Sequence, residues 1–136
     1  MKILFLDIDG VVNCSDTKQR FEGCLGIDPE KANLIKKILE ETGAKVVLSS
    51  VWRLKDTSRE HVKEKVCDFI DITPDFGECG FRGEEIDSWL NKNKQVTKYA
   101  IVDDNNWMLP GQKFFKTNFQ TGLTEEITKE IIEYLK

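Results

Sequence analysis

Pairs of polar side chains follow three apolar segments of the chain, and their types suit metal and phosphate chemistry. The pairs are Asp7 and Asp9, Ser49 and Ser50, and Asp103 and Asp104. If the three segments are parallel strands, the pairs lie at one edge of the sheet, where open α/β sheets bind ligands. The converging carboxylates repel one another unless a cation neutralises them. Ligation by oxygen alone, with few protein ligands, favours Mg²⁺ and leaves room for water and phosphate.

A single pair of this kind has an ordinary structural explanation. An Asp-x-Asp sequence after a strand is common in turns, and Ser-Ser or Asp-Asp is common at helix caps and in loops. The same arrangement after three separate apolar runs is much harder to explain by chance. We therefore interpret the three pairs as parts of one site.

Short apolar runs alternate with helical periodicities, and together they predict the elements that position these pairs. Strands are predicted at residues 3–6, 44–48, 69–72, 99–102 and 113–116, each a short apolar run. Helices are predicted to follow the cap residues Asp28, Thr57 and Thr124 and the dipeptide Arg82-Gly83. Thr57 and Glu60 match a capping box. Residues 13–26 are polar with scattered glycines, which indicates a loop or small flap beside the first strand.

The alternation of strands and helices predicts an α/β fold with a Rossmann-like, three-layer architecture. A mostly parallel central sheet of about five strands is expected, with helices on both faces because parallel strands require right-handed crossovers. The 136 residues contain no linker, repeat or low-complexity segment. We therefore expect a single domain over residues 1–136.

The composition argues against a nucleic-acid partner held by charge alone and against a membrane span. The net charge of −4 provides no basic surface that would hold a nucleic acid by charge alone. No apolar run approaches the roughly 18 residues of a membrane span, and the first residues do not have the pattern of a signal peptide. The four cysteines lack the paired spacing of a zinc site, so we expect free thiols in a reducing cytoplasm.

The motifs resemble those of the haloacid dehalogenase (HAD) superfamily, whose members are mostly Mg²⁺-dependent phosphatases. The general likeness lies in the segment from Asp7 to Val11, Ser49, Arg82 and the pair Asp103-Asp104. A closer likeness, to a small capless branch with relatives in multi-domain RNA-repair proteins, lies in the segments 48–53, 82–86, 89–90 and 122–124. The resemblance covers nearly the whole chain and implies a fold without a cap domain, since neither interval that holds a cap in the superfamily is long enough.

The resemblance implies a role for each catalytic residue. Asp7 is the expected nucleophile, which forms an aspartyl-phosphate. Asp9 is expected to protonate the leaving oxygen and then activate water, and its backbone carbonyl is expected to bind the metal. Ser49 is expected to donate a hydrogen bond to a phosphate oxygen. Most members place a lysine where this chain has Arg82, so Arg82 is the expected phosphate-stabilising cation, with Arg53 and Lys98 as alternatives.

The remaining candidates extend the metal and phosphate sites. Mg²⁺ is the expected cofactor, with Asp104 as a direct ligand and Asp103 as a ligand either directly or through water. Gly10, Ser50 and Arg53 are expected to contact phosphate or substrate. Arg53 also fits a structural salt bridge, and the neighbouring Trp52 also fits a core position beneath the loop. Trp107 and Met108, which follow the acidic pair, are expected to pack within a loop rather than to contact a base.

These expectations together describe a capless, Mg²⁺-dependent phosphomonoesterase. An open site admits a large phosphorylated substrate, and the RNA-repair relatives point to a nucleic-acid 3′-phosphate end, while a small phosphomonoester stays open as an alternative. A catalytically silent module that binds metal and phosphate is the main rival. Response-regulator receivers and Toprim nuclease domains also use carboxylates and Mg²⁺, but the order of their acidic motifs along the chain differs.

Overall fold

A five-stranded parallel sheet forms the centre of the computed structural model, which describes residues 1–136. Its strands, in chain order, are β1 (Lys2–Leu6), β4 (Lys45–Leu48), β5 (Asp71–Ile72), β6 (Lys98–Asp103) and β7 (Phe114–Lys116). Their order across the sheet is β5-β4-β1-β6-β7, and every neighbouring pair is parallel. The predicted mostly parallel sheet of about five strands is confirmed.

The helices cover both faces of this sheet. They are α1 (Pro29–Thr42), α2 (Asp56–Lys65), α3 (Arg82–Lys92) and α4 (Glu125–Leu135). Apolar residues of α1, α2 and α4 join the larger core cluster with alternate residues of the central strands. Ile86 and Trp89 of α3 pack on the opposite face against Ile3, Phe5 and Ile101. The three-layer, Rossmann-like α/β fold without a cap domain is therefore confirmed.

Strand β1 lies in the middle of the sheet because all of its apolar residues find partners on both faces. Residues Ile3 to Leu6 are completely buried, as expected for a strand covered on both sides by helices. Leu6 pairs with Leu48 of β4 on one side and with Val102 of β6 on the other. This register brings the residues that follow the three strands to one edge of the sheet.

Two of the three predicted cap residues, Asp28 and Thr124, cap their helices through the side chain. Asp28 accepts a hydrogen bond from the Glu30 amide at 3.0 Å, and Thr124 accepts one from the Ile127 amide at 3.2 Å. Helix α3 starts at Arg82, so the dipeptide Arg82-Gly83, predicted to precede the helix, forms its first turn. The predicted capping box of α2 is wrong, because the helix starts at Asp56 without a side-chain cap. Thr57 instead donates a hydrogen bond to the Glu22 carboxylate at 3.0 Å.

The irregular segments also differ in detail from the prediction. Residues Phe69 and Ile70 precede β5 rather than belonging to it, which shortens that strand to two residues. The segment 13–26, expected as a loop or flap, contains a short antiparallel hairpin of β2 (Arg20–Phe21) and β3 (Cys24–Leu25). A 3₁₀ turn spans Val51–Leu54 directly after the serine pair. All four cysteines are free thiols, and no helix combines the length and the apolar character needed to cross a bilayer.

Candidate active site

Three carboxylates meet at the carboxyl edge of the sheet. Asp7 follows β1 and Asp103 ends β6, and these two strands are neighbours in the sheet. Oxygens of Asp7, Asp103 and Asp104 all lie within 4.8 Å of one another. Asp103 is completely buried and Asp7 is 4 % exposed. The sheet register thus brings together acidic residues that are almost one hundred positions apart in the sequence.

Arg82, the first residue of α3, binds two of these carboxylates. Its Nη1 atom lies 3.1 Å from Asp7 Oδ1 and 2.8 Å from Asp103 Oδ2. Burial lowers the pKa of Arg82, but the charges of Asp7 and Asp103 outweigh it and raise the pKa above its ordinary value. The Nε and Nη2 atoms of Arg82 donate no hydrogen bond within the chain. Arg82 therefore remains a cation with donors left for an anionic ligand.

One guanidinium does not neutralise three crowded carboxylates. Burial, followed by the charge of Asp103, raises the pKa of Asp7 well above its ordinary value although Arg82 opposes this effect. Burial and the same neighbour also raise the pKa of Asp104. The group consists only of oxygen donors with an excess of negative charge, which is the chemistry that Mg²⁺ requires. The residues present therefore fit the expected metal ion.

The Asp9 carboxylate lies outside this group and is held by two neutral donors. The Asn13 side-chain amide donates to Asp9 Oδ1 at 2.9 Å, and the Trp52 indole N–H donates to Asp9 Oδ2 at 3.1 Å. Asn13 is completely buried and also donates to the Gly26 carbonyl at 2.9 Å. Both oxygens of Asp9 are thus oriented by groups on different elements. Its expected role in metal binding involves the backbone carbonyl and stays a prediction.

Gly10 occupies a position that only glycine fits. Its φ angle is +80°, and a Cβ atom there would lie 2.1 Å from Asp104 Oδ2. Its amide donates to Asn13 Oδ1 at 2.9 Å, so that amide is already engaged. The preceding amides of Ile8 and Asp9 donate to no group of the chain. The turn after Asp7 therefore offers backbone donors, but they precede Gly10, whose own contact with phosphate stays a prediction.

The two serines after β4 serve different purposes. The Ser49 hydroxyl is buried and makes no hydrogen bond within the chain. Because buried polar groups nearly always have partners, this orphaned hydroxyl fits a bound anion. The Ser50 hydroxyl accepts a hydrogen bond from the Trp52 amide at 3.2 Å and caps the 3₁₀ turn. The expected phosphate contact of Ser50 stays a prediction.

Arg53 is buried and bound to the protein itself. Its Nε donates to the Thr73 carbonyl at 3.0 Å, and its terminal nitrogens donate to the carbonyls of Ser49, Ser50 and Pro74. Its Nη2 atom also forms an ion pair with Glu85 at 3.2 Å. These contacts occupy every N–H of the guanidinium. The geometry fits the structural alternative and gives no support to a phosphate contact, which stays a prediction.

Lys98 points away from the acidic group. It begins β6, whereas the site lies after the other end of that strand. Its Nζ atom donates to the Tyr134 carbonyl at 2.8 Å and lies over the Tyr134 ring. Of the three cations considered from the sequence, Arg82 alone contacts the acidic group. This arrangement supports the choice of Arg82.

Aromatic side chains connect the hairpin to Asp9, and sequence reasoning missed this connection. Phe21 of β2 stacks on Trp52 with ring centroids 5.4 Å apart and on His61 with centroids 4.1 Å apart. Trp52 is 9 % exposed, so it combines the predicted core position with a contact to Asp9. His61 of α2 is half-buried in this stack. Nothing in the local sequence pairs residues 21, 52 and 61, because three different elements supply them.

Trp107 departs from the sequence prediction. It was expected to pack within a loop, but it is 64 % exposed. Its main chain is nevertheless fixed, because its carbonyl accepts a hydrogen bond from the Gly83 amide at 2.9 Å. Polar residues on both sides of Trp107 bond to the main chain of the same loop, and these bonds hold its backbone without a packed side chain.

Comparison with known proteins identifies the family. Searches of curated proteins and of solved structures returned no match. The profile of one family, described as the HAD domain in Swiss Army Knife RNA repair proteins, matches residues 3–127. HAD domains are typically hydrolases and usually use Mg²⁺. Since the match spans nearly the whole chain and the acidic group lies where the motifs predict it, this chain belongs to that family of HAD domains.

Proposed function

We propose that this domain is a Mg²⁺-dependent phosphomonoesterase that transfers a phosphoryl group first to Asp7 and then to water. One observation carries the proposal: the Asp7 carboxylate lies against Arg82 in a group of three carboxylates at the edge of the sheet. A nucleophile for phosphoryl transfer needs positive charge close to the transferred group. Arg82 provides one such charge, and the acidic group fits a metal ion that would provide the other.

Asp7, Asp104 and the Asp9 carbonyl would hold the metal ion, with Asp103 either as a further ligand or linked through water. Bound there, Mg²⁺ would neutralise charge on the transferring phosphoryl group and orient it toward Asp7. Asp103 is buried and receives a hydrogen bond from Arg82 at 2.8 Å, which supports a role in positioning that guanidinium. The ion pair of Arg82 and Asp103 therefore connects the guanidinium to the edge of the sheet where the metal ion would bind.

The phosphoryl oxygens would meet donors from three directions. The Ser49 hydroxyl lacks a partner within the chain, and so do the amides of Ile8 and Asp9. Arg82 adds its free Nε and Nη2 donors. Backbone amides in a tight turn commonly bind anions in this way.

The reaction then proceeds in two steps, formation of the aspartyl-phosphate and its hydrolysis. A carboxylate oxygen of Asp7 attacks phosphorus, the bond to the leaving oxygen breaks, and protonated Asp9 donates its proton to that oxygen. Asp9 next accepts a proton from water as the water oxygen attacks phosphorus, which releases phosphate and restores the Asp7 carboxylate. Asn13 and Trp52 support both steps because they hold the Asp9 carboxyl in one orientation.

A phosphorylated nucleic-acid end is the substrate class that we favour, and the family description supports it. The absence of a cap domain leaves the edge of the sheet open to a macromolecule. The net charge of −4 argues against extensive contacts along a nucleic-acid backbone. We therefore propose recognition of the terminal phosphate and its nearest groups rather than of a long strand.

Release of phosphate from an aryl phosphate tests this proposal. We expect turnover by the wild-type protein that requires Mg²⁺ and that falls at least a thousand-fold in Asp7→Asn, because the amide cannot act as the nucleophile. Asp87→Asn is the matched control, since Asp87 is an exposed residue of α3. Turnover that survives in Asp7→Asn would contradict the covalent mechanism. Mg²⁺ binding without turnover of aryl phosphates or 3′-phosphorylated oligonucleotides would favour a catalytically silent module.

A further inference from the structure

A small cleft beside the acidic group contains both Arg82 and an exposed aromatic ring. The cleft has a volume of about 180 Å³ and lies between the 3₁₀ turn that follows the serine pair and the loop that follows β6. Its lining includes Val51, Leu54, Arg82, Asn105 and Trp107. Because Arg82 also contacts Asp7, a ligand in this cleft would lie next to the proposed phosphoryl site.

Exposed apolar side chains are concentrated around this cleft. Val51, Leu54 and Trp107 line it and are 56 %, 51 % and 64 % exposed. Phe81, which directly precedes Arg82, is also exposed, and its ring centroid lies 6.3 Å from that of Trp107. Apolar groups grouped at one place on a soluble surface commonly mark a binding site.

The loop that carries Trp107 is fixed even though its side chain is not packed. Asp103 Oδ1 accepts a hydrogen bond from the Asn105 amide at 2.9 Å, and Asn105 Oδ1 accepts one from the Trp107 amide at 2.7 Å. The Trp107 carbonyl then accepts a hydrogen bond from the Gly83 amide at 2.9 Å. Hydrogen bonds therefore connect the main chain of Trp107 to Asp103, through Asn105, on one side and to helix α3 on the other.

The absence of a side chain at Gly83 allows the Trp107 loop to lie close to helix α3. A Cβ atom at Gly83 would lie 2.7 Å from the Leu109 amide nitrogen and 2.8 Å from Gln112 Oε1. The loop thus packs directly on the main chain next to Arg82. An exposed aromatic side chain on a fixed backbone needs less ordering to bind a ligand than one on a mobile loop.

We propose that Trp107 is a stacking platform for the nucleobase of a phosphorylated nucleotide, an inference that rests on the phosphatase function proposed above. The occupant must combine an anionic group for Arg82 with a flat, largely apolar group for the indole face, and a nucleotide has both. The Asn105 side-chain amide has no acceptor within the chain and is available to the ribose or base. Because a net charge of −4 gives the protein little general attraction for phosphates, stacking would supply affinity that charge does not.

Binding to the inactive Asp7→Asn protein tests this site separately from catalysis. Titration calorimetry in the presence of Mg²⁺ compares adenosine 3′-monophosphate with glycerol 2-phosphate, which has no base. We expect the nucleotide to bind roughly ten-fold more tightly or better. The ratio of the two dissociation constants, glycerol 2-phosphate over nucleotide, should fall to about one after Trp107→Ala. It should be largely retained after Trp107→Phe, which keeps an aromatic face.

Ile70→Ala is the control for loss of an exposed apolar side chain. Ile70 is 52 % exposed and lies just before β5, away from the cleft, so its removal should leave the ratio unchanged. A ratio of dissociation constants near one in the Asp7→Asn protein, or an unchanged ratio after Trp107→Ala is added to it, would overturn the stacking site. If the ratio behaves as expected but the wild-type protein hydrolyses neither ester, the stacking site stands and the proposed hydrolysis fails.

Discussion

At the scale of single residues, the hydrogen bond from Trp52 to Asp9 makes a specific kinetic prediction. Trp52→Phe keeps an aromatic ring in the stack with Phe21 and His61 but removes the N–H that holds Asp9 Oδ2. A misoriented acid matters most where the leaving oxygen needs a proton. We expect kcat/KM to fall roughly ten-fold or more for alkyl phosphates and much less for nitrophenyl phosphates, as measured with a series of leaving groups.

Trp89→Phe is the matched control for this substitution. The Trp89 indole donates to Asp71 Oδ2 at 2.8 Å, and its ring packs on α3's face of the sheet away from Asp9. The control therefore loses a comparable hydrogen bond without touching the site. An equal loss of activity for all leaving groups in Trp52→Phe would mean that Trp52 acts only through stability.

Residue types and spacing predicted the acidic group, and the family resemblance indicated Arg82, but neither predicted the surroundings of the other candidates. Asp7 and Asp103 follow apolar strands, so their convergence follows from a parallel sheet alone. Arg53 differs because most of its partners are main-chain carbonyls, two of them about twenty positions away near β5, and every residue type has a carbonyl, so the sequence does not indicate these contacts. The Trp52 contact was missed for the same reason, since the loop geometry that brings it to Asp9 is set by tertiary packing.

At the scale of elements, two threonines that match helix-cap patterns in the sequence differ in the structure, since Thr124 caps its helix and Thr57 does not. Thr124 accepts a hydrogen bond from the Ile127 amide at 3.2 Å, whereas Thr57 lies within α2 and bonds to the exposed Glu22 side chain. We expect Thr124→Ala to lower the free energy of unfolding by about 1 kcal/mol. Thr57→Ala should change it by less than about 0.5 kcal/mol, as expected for a surface position.

Urea denaturation of the two threonine variants and the wild type measures this difference. Both substitutions remove the same atoms, so side-chain chemistry does not distinguish them. Equal losses would show that α2 is capped by Thr57 in solution and that the sequence motif of Thr57 and Glu60 was interpreted correctly. The motif failed here because α2 begins at Asp56, two residues earlier than a helix capped by Thr57 would begin.

The weakest predictions at this scale concern elements that are too short to carry a pattern. Strand β5 has two residues, and each strand of the β2–β3 hairpin also has two. Hydrophobic periodicity needs a longer window to separate a strand from a loop. The long central strands and the helices were predicted correctly because each buries several apolar residues at regular spacing.

At the scale of the whole molecule, the proposed metal site predicts that Mg²⁺ stabilises the fold. Burial and mutual repulsion raise the pKa values of Asp7 and Asp104, which means that their charged forms are destabilised in the folded protein without a cation. A divalent ion that binds only the folded state relieves this repulsion. At a Mg²⁺ concentration ten times the dissociation constant, the gain is about 1.4 kcal/mol.

This gain should raise the Tm by about 5 °C for a domain of this size. Thermal unfolding followed by circular dichroism, with KCl added to match ionic strength, separates specific binding from screening. Asp104→Asn should remove most of the shift, because it takes away a proposed ligand that lies against the Gly10 turn. Asp87→Asn, an exposed acidic position on α3, should retain it. A Tm unaffected by Mg²⁺ in the wild-type protein would show that Arg82 alone balances the acidic group, and the metal-dependent step would then have no structural basis.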